Sequence, residues 1–244
     1  MKEKIVYESL NKIVDFNDLI VKNEKITKIK NNNIDKTINK IIEEDPIIYI
    51  YNSHDTEKYS IPYISDHSIT PTVKIASHML KDHLNDLGIS SYVEENSISD
   101  YLKKYNLSYK GCYEASRYYL KNAKKKYDFK IYIDLHRDSV KHKYTLYEKD
   151  GKRYAKILFV LTTKHDNYKK NEEFVNELNS MIESKYDGLS RGIMKRDDVI
   201  FNQDLSPNAI LLELGGVDNT IEELNNTLKV FAKILKEYLN KEET

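Results

Sequence analysis

Apolar positions recur along this chain with two different periods. The runs at 47–51, 130–135 and 209–212 are short, rich in isoleucine, tyrosine and leucine, and bounded by polar loops, so each reads as a buried strand. Helical spacing appears between them. Val73, Ala76, Leu80, Leu84 and Leu87 fall on one face of a helix expected to start with Thr70 as N-cap and Pro71 at its first position, and to end at Gly88 before a strand at 89–93. A second helical stretch, 113–126, leads into the strand before His136. Asp150-Gly151, between 144–147 and 156–161, is a β-hairpin signal. Phe174, Leu178 and Met181 mark a further helix that stops at Gly188, and Asn219-Thr220-Ile221-Glu222 opens the closing helix in the manner of a capping box. Strands alternating with helices, plus one hairpin, predict an α/β fold: three layers, with a mixed, mostly parallel sheet and helices on both faces.

Composition narrows the function. The 244 residues carry 39 basic and 39 acidic side chains, so no polyelectrolyte argument supports nucleic acid or an anionic membrane as partner. The single cysteine, Cys112, excludes an intramolecular disulfide framework and cysteine-rich metal sites, and reads as a packed thiol. No run reaches the apolar length of a membrane span, and Met1-Lys2-Glu3-Lys4 leads into mixed charged residues rather than a signal-peptide core. Residues 1–45 mix short apolar runs with a polar segment at 22–33 that ends in a turn-prone asparagine run; they read as an amino-terminal extension and linker, with 46–244 as the catalytic domain.

Candidate chemistry sits where three predicted strands end. The first is followed by Asn52-Ser53-His54-Asp55-Thr56-Glu57, the second by His136-Arg137-Asp138-Ser139, and the third carries Glu213 ahead of Gly215-Gly216. In open α/β sheets the loops beyond the carboxyl ends of strands meet at the ligand site. Two imidazoles and one carboxylate make the three-ligand, open-position zinc site of a hydrolase. That gives His54, Glu57 and His136 as ligands and Glu213 as general base, with the exchange of Glu57 and Glu213 left open. Glu213 lies between Leu212 and Leu214, so without a cation, proton or strong donor its carboxylate would incur a desolvation cost of several kcal/mol. Arg137 suits an oxyanion or a substrate carboxylate, against a plain salt bridge to Asp138 or Asp134. Asp134 suits a carboxylate that fixes an imidazole tautomer. Gly215-Gly216 suits close backbone approach. Of the other histidines, His78, His83, His142 and His165 need no metal, and His67 follows the first motif as a candidate substrate contact.

The segments 52–59, 134–139, 154–160, Asn202-Gln203-Asp204-Leu205-Ser206-Pro207 and 212–216 occur in an order that resembles the motif series of the stage II sporulation protein P family, over roughly residues 46–240. The resemblance implies a zinc-dependent N-acetylmuramoyl-L-alanine amidase acting on peptidoglycan outside the cytoplasm. It further implies partners in sporulation, among them a lytic transglycosylase and a membrane protein of engulfment. From the residues themselves, Asn202, Gln203 and Ser206 suit a substrate groove, against a polar loop before a strand that needs no function. The pattern departs from the family at Asn52, where the family motif begins with histidine, and at the amino terminus, where family members carry an anchor or export signal. An asparagine there can orient a neighbour by hydrogen bonding but is a poor zinc ligand. Two other readings share these residues: a zinc carboxypeptidase or peptidoglycan endopeptidase, and a non-catalytic wall-binding protein derived from an amidase.

Overall fold

Tyrosine and isoleucine alternate in the first strand, and that alternation divides the molecule into layers. In a computed structural model of the chain, which describes residues 44–60 and 70–242, Ile48 and Ile50 of β1 (Ile48–Tyr51) enter one apolar cluster while Tyr49 and Tyr51 enter another on the opposite face. The remaining strands are β2 (Ser91–Val93), β3 (Ile131–Asp138), β4 (Leu146–Lys149), β5 (Lys152–Ala155), β6 (Ile157–Thr162), β7 (Ser190–Arg196) and β8 (Ala209–Gly216). Six of them form one sheet in the order β2-β1-β3-β8-β6-β7. β2, β1, β3 and β8 are parallel; β6 runs antiparallel to β8 and parallel to β7.

Three long helices, α1 (Val73–Asp86), α4 (Tyr168–Lys185) and α5 (Ile221–Glu242), place their apolar stripes in the larger cluster with Ile131, Ile133, Leu135, Ile210, Leu212 and Leu214. On the other face α3 (Cys112–Ala123) packs Leu120 and Ala123 against Tyr49, Tyr51 and Tyr132. The three-layer α/β arrangement expected from the sequence is present. None of the helices among the described residues is long and apolar enough to cross a membrane.

Local details depart from the pattern reading. Thr72, not Thr70, caps α1, accepting a hydrogen bond from Lys74 N at 3.3 Å, because Pro71 is still engaged in pairing with the preceding loop through its carbonyl. A short helix α2 (Ile98–Lys104), capped by Ser97, was not anticipated, since its two turns carry too little periodicity to register. The second helix is Cys112–Ala123 rather than 113–126. The Asp150-Gly151 turn is real, with φ of 51° and 71°, but it joins β4 to β5. The apolar run expected to complete the hairpin instead enters the main sheet as β6, where both faces can be buried. The closing helix is capped one residue later than read: Thr220 Oγ1 accepts from Glu223 N and Glu223 Oε2 accepts from Thr220 N, at 3.2 and 3.0 Å. The extension assigned to 1–45, apart from its last two residues, and His67 lie outside the described residues.

Candidate active site

The chain leaves β1, forms β2 on one side, and returns as β3 on the other. The carboxyl ends of β1 and β3 therefore flank a switch in strand order, the place where open α/β sheets bind ligands. His54 and Glu57 lie on the loop after β1. Asp134 and His136 are two apart in β3 and so share a face. Glu213 stands directly beside His136 in the β3–β8 register.

The loop is held from several directions. Asp55 accepts from Ile98 N at 3.1 Å, Tyr59 N donates to Pro71 O at 2.9 Å, and the buried Tyr59 phenol donates to Leu214 O at 3.0 Å. This last bond ties the His54–Glu57 loop to the strand of Glu213. Asn52 is buried; its amide donates to Leu135 O at 2.6 Å and accepts from Ser77 Oγ at 3.0 Å, fastening β1 to β3 and α1.

His54, Glu57 and His136 each offer a ligand atom, and these atoms lie within 4.8 Å of one another. Glu57 occupies the middle: Oε1 is 3.3 Å from His54 Nδ1 and Oε2 is 3.5 Å from His136 Nδ1, while Arg137 N donates to Oε2 at 3.0 Å. The opposite nitrogen of His136, Nε2, is 2.9 Å from Asp134 Oδ1. Ser53 completes this underside, donating through its backbone N–H and its hydroxyl to Asp134 at 2.8 and 2.7 Å. Asp134 as acceptor fixes the proton on Nε2 and leaves Nδ1 free to ligate, which is how a carboxylate prepares a metal-binding histidine.

Electrostatics agree with a cation site. Burial pushes the Glu57 carboxyl upward, but hydrogen bonds with His136 and His54, and the Arg137 N–H, outweigh it and hold the group well below the usual carboxylate range. Burial disfavours the His136 imidazolium, yet Asp134 and then Glu57 hold its pKa well above the ordinary value, so the ring attracts a positive charge that a metal ion can replace. Glu213 is different. Burial lifts its carboxyl to about 7, His136 opposes the rise, and Glu57, Asp138 and Asp134 add to it. Its Oε2 is buried without a hydrogen-bond partner, and it stands outside the three-residue ligand cluster among the described residues.

Arg137 donates from Nε to Lys58 O at 2.8 Å and from a terminal nitrogen to Asp138 O at 3.4 Å; its contacts are backbone carbonyls, and Asp138 pairs with Arg191 instead, at 2.7 Å. Gly215 and Gly216 serve close approach: a Cβ at Gly216 would lie 2.3 Å from Val140 O, and Gly215 has φ +64°. Asn202 and Gln203 are buried in structural roles rather than lining a groove. Gln203 accepts from Thr162 N and donates to Val160 O, at 2.9 and 2.8 Å. Cys112 is buried, its thiol pushed by burial to about 11, and packs as expected. His142 pairs with Glu223 at 3.0 Å, and His78 with Glu95 at 3.2 Å. Ser53 was missed by the sequence reading, although its place between Asn52 and His54 was the signal. So were Tyr109 and Tyr113, whose rings lie 5.1 and 5.4 Å from that of His54.

The profile of the family described as Stage II sporulation protein P (SpoIIP) matches residues 2–236. This chain belongs to that family. It is 34% identical over 203 residues to Stage II sporulation protein P of Bacillus subtilis (strain 168), a match that takes in 78% of this chain and 50% of the relative. The chain thus spans about half the length of that sporulation protein. Among solved structures, the CwlD amidase from Clostridioides difficile in complex with the GerS lipoprotein superposes with a TM-score of 0.53 at 14% identity, over 79% of this chain and 98% of that one. The N-acetylmuramyl-L-alanine amidase Ami1 from Mycobacterium smegmatis gives 0.49 at 11% identity, over 80% and 97%. The likeness to CwlD shows that this chain shares the fold of that amidase.

Proposed function

We propose that this chain is a zinc-dependent peptidoglycan hydrolase that cleaves the amide between N-acetylmuramic acid and L-alanine of the stem peptide, with residues 46–244 as the catalytic domain. The observation that carries the reading is the convergence of His54, Glu57 and His136 within 4.8 Å, beside the partnerless carboxylate oxygen of Glu213. Two imidazole nitrogens and a carboxylate are a donor set zinc takes in hydrolases, leaving a position open. They fit the ion better than Glu213 would, because the carboxylate between the two imidazoles is that of Glu57.

When bound, zinc polarises the scissile carbonyl and makes the attacking water more acidic. Glu213 accepts the proton of that water and returns it to the departing amine of L-alanine; its carboxylate stands beside His136 with one buried oxygen free of any hydrogen-bond partner, as a proton acceptor needs. Asp134 and Ser53 keep the His136 ring oriented. Arg137, steadied by two carbonyls, keeps its charge for a carboxylate of the stem peptide. Membership of the family supports a role in sporulation, and the reaction proposed acts on wall material outside the cytoplasm, among other wall-remodelling proteins.

Elemental analysis tests the metal half of this reading. Purified protein should hold one zinc per chain, and His136→Ala should hold little; equal occupancy in both would remove the assignment.

A further inference from the structure

Phe201 and Asn202 are consecutive non-glycine residues with left-handed backbones, φ +55° and +57°. Such conformations cost about 1–3 kcal/mol each and persist where surrounding contacts over-determine them. Their contacts converge on the first turn of α3. The buried Phe201 ring meets the Tyr113 ring edge-on at 5.5 Å, and Asn202 Nδ2 donates to Tyr113 O at 3.2 Å and to Ser116 Oγ at 3.0 Å. Arg117, one helical turn on, donates to Asn202 and Asp204, at 3.3 and 2.8 Å. The strained pair therefore braces Tyr113 from behind.

What the brace presents is the Tyr113 phenol. The ring lies 5.4 Å from that of His54, at the edge of the His54–Glu57–His136 cluster, and the phenol interacts electrostatically with Ser53 and with the carboxylates of Asp134, Glu213 and Glu57. The residue is only partly buried, so a ligand can reach it. A phenol O–H is a donor that carries no charge at neutral pH, so it can sit among carboxylates without being drawn into an ion pair, unlike a guanidinium. Arg137, the other candidate donor, spends its Nε and one terminal nitrogen on backbone carbonyls of Lys58 and Asp138.

We propose that Tyr113 is a catalytic residue of this site, donating a hydrogen bond to the acyl oxygen of the scissile amide as negative charge collects there, with Phe201 and Asn202 as its positioning residues. The inference rests on the hydrolase reading above. No proton is transferred: the phenol keeps its hydrogen, and the bond strengthens only as the carbonyl becomes tetrahedral. Removing one such donor from an acyl-transfer site costs on the order of a hundredfold or more in turnover.

Tyr113→Phe is the direct test, because it keeps the ring against His54 and Phe201 and deletes one oxygen. With a muramoyl-peptide of defined structure, kcat should fall about a hundredfold, while KM, zinc content and Tm stay at the parent values. If the parent cleaves and Tyr113→Phe matches its kcat, the donor role is wrong and the hydrolase reading stands. If kcat falls only together with zinc content or Tm, Tyr113 is structural and the proposal is again overturned. If the zinc-loaded parent does not cleave the muramoyl-peptide, both fail.

Discussion

Asp134 Oδ1 and His136 Nε2 stand 2.9 Å apart, with the aspartate side chain fully buried and the histidine nearly so. Both come from one face of β3, and Ser53 clasps the aspartate from the neighbouring loop with two hydrogen bonds. A carboxylate so placed holds a proton on one ring nitrogen and directs the other outward.

Asp134→Ala should therefore weaken zinc binding by roughly 10–100-fold, with a smaller loss in Asp134→Asn, whose amide oxygen can still accept from Nε2. Competition with a calibrated chelator measures this. Unchanged affinity in Asp134→Ala would mean that His136 is not oriented for metal by this pair.

Glu213 predicts a pH dependence of stability in protein stripped of metal. Burial first, opposed by His136 and reinforced by three nearby carboxylates, lifts its pKa from 4.5 to about 7. The native state thus holds a proton that the unfolded chain gives up sooner. Stability from this group is fully present below about pH 4.5 and is lost as pH rises through 7. Glu213→Gln removes the dependence, so the stripped variant should match the parent near pH 4.5 and exceed it above pH 7.5 by up to roughly 3 kcal/mol. Urea unfolding at the two pH values reads the difference; a constant offset would show that Glu213 does not titrate in this range. With zinc restored, the same variant should keep its metal and lose about a hundredfold in rate.

Asn52 stands where the family motif has histidine, yet both ends of its amide are engaged, with Leu135 O and Ser77 Oγ. Asn52→Ala takes the buried amide donor from Leu135 O, while Ser77 Oγ keeps Val73 O as acceptor at 3.3 Å; the loss is about 1–3 kcal/mol, and activity should fall modestly at unchanged zinc stoichiometry. Activity that appears only in Asn52→His would mean that the natural chain is a degenerate amidase.

The layered α/β architecture was legible because long apolar runs in parallel strands and 3.6-residue stripes in helices survive any packing detail. The His54–Glu57–His136 grouping was legible for a related reason: strand ends in an open sheet converge, so residue types at those ends could be read together. What was not legible depended on contacts between distant segments. Nothing local in 156–161 says that its partner is β8 rather than the hairpin strand before it. Nothing in the motif at 202–207 shows that Asn202 and Gln203 turn inward to bind Tyr113, Val160 and Thr162. Thr72 supplanted Thr70 as helix cap because the chain on its amino-terminal side pairs with residues 57–59, a tertiary fact.

Which bond the site of His54, Glu57, His136 and Glu213 cuts decides whether this chain is an amidase. Mass spectrometry of defined peptidoglycan fragments after digestion with the zinc-loaded protein answers this. An amidase releases intact glycan bearing free lactyl groups together with stem peptides that begin at L-alanine, and that is the expected result. Products cleaved within the stem peptide, or fragments left whole by protein whose zinc content has been verified, would contradict it.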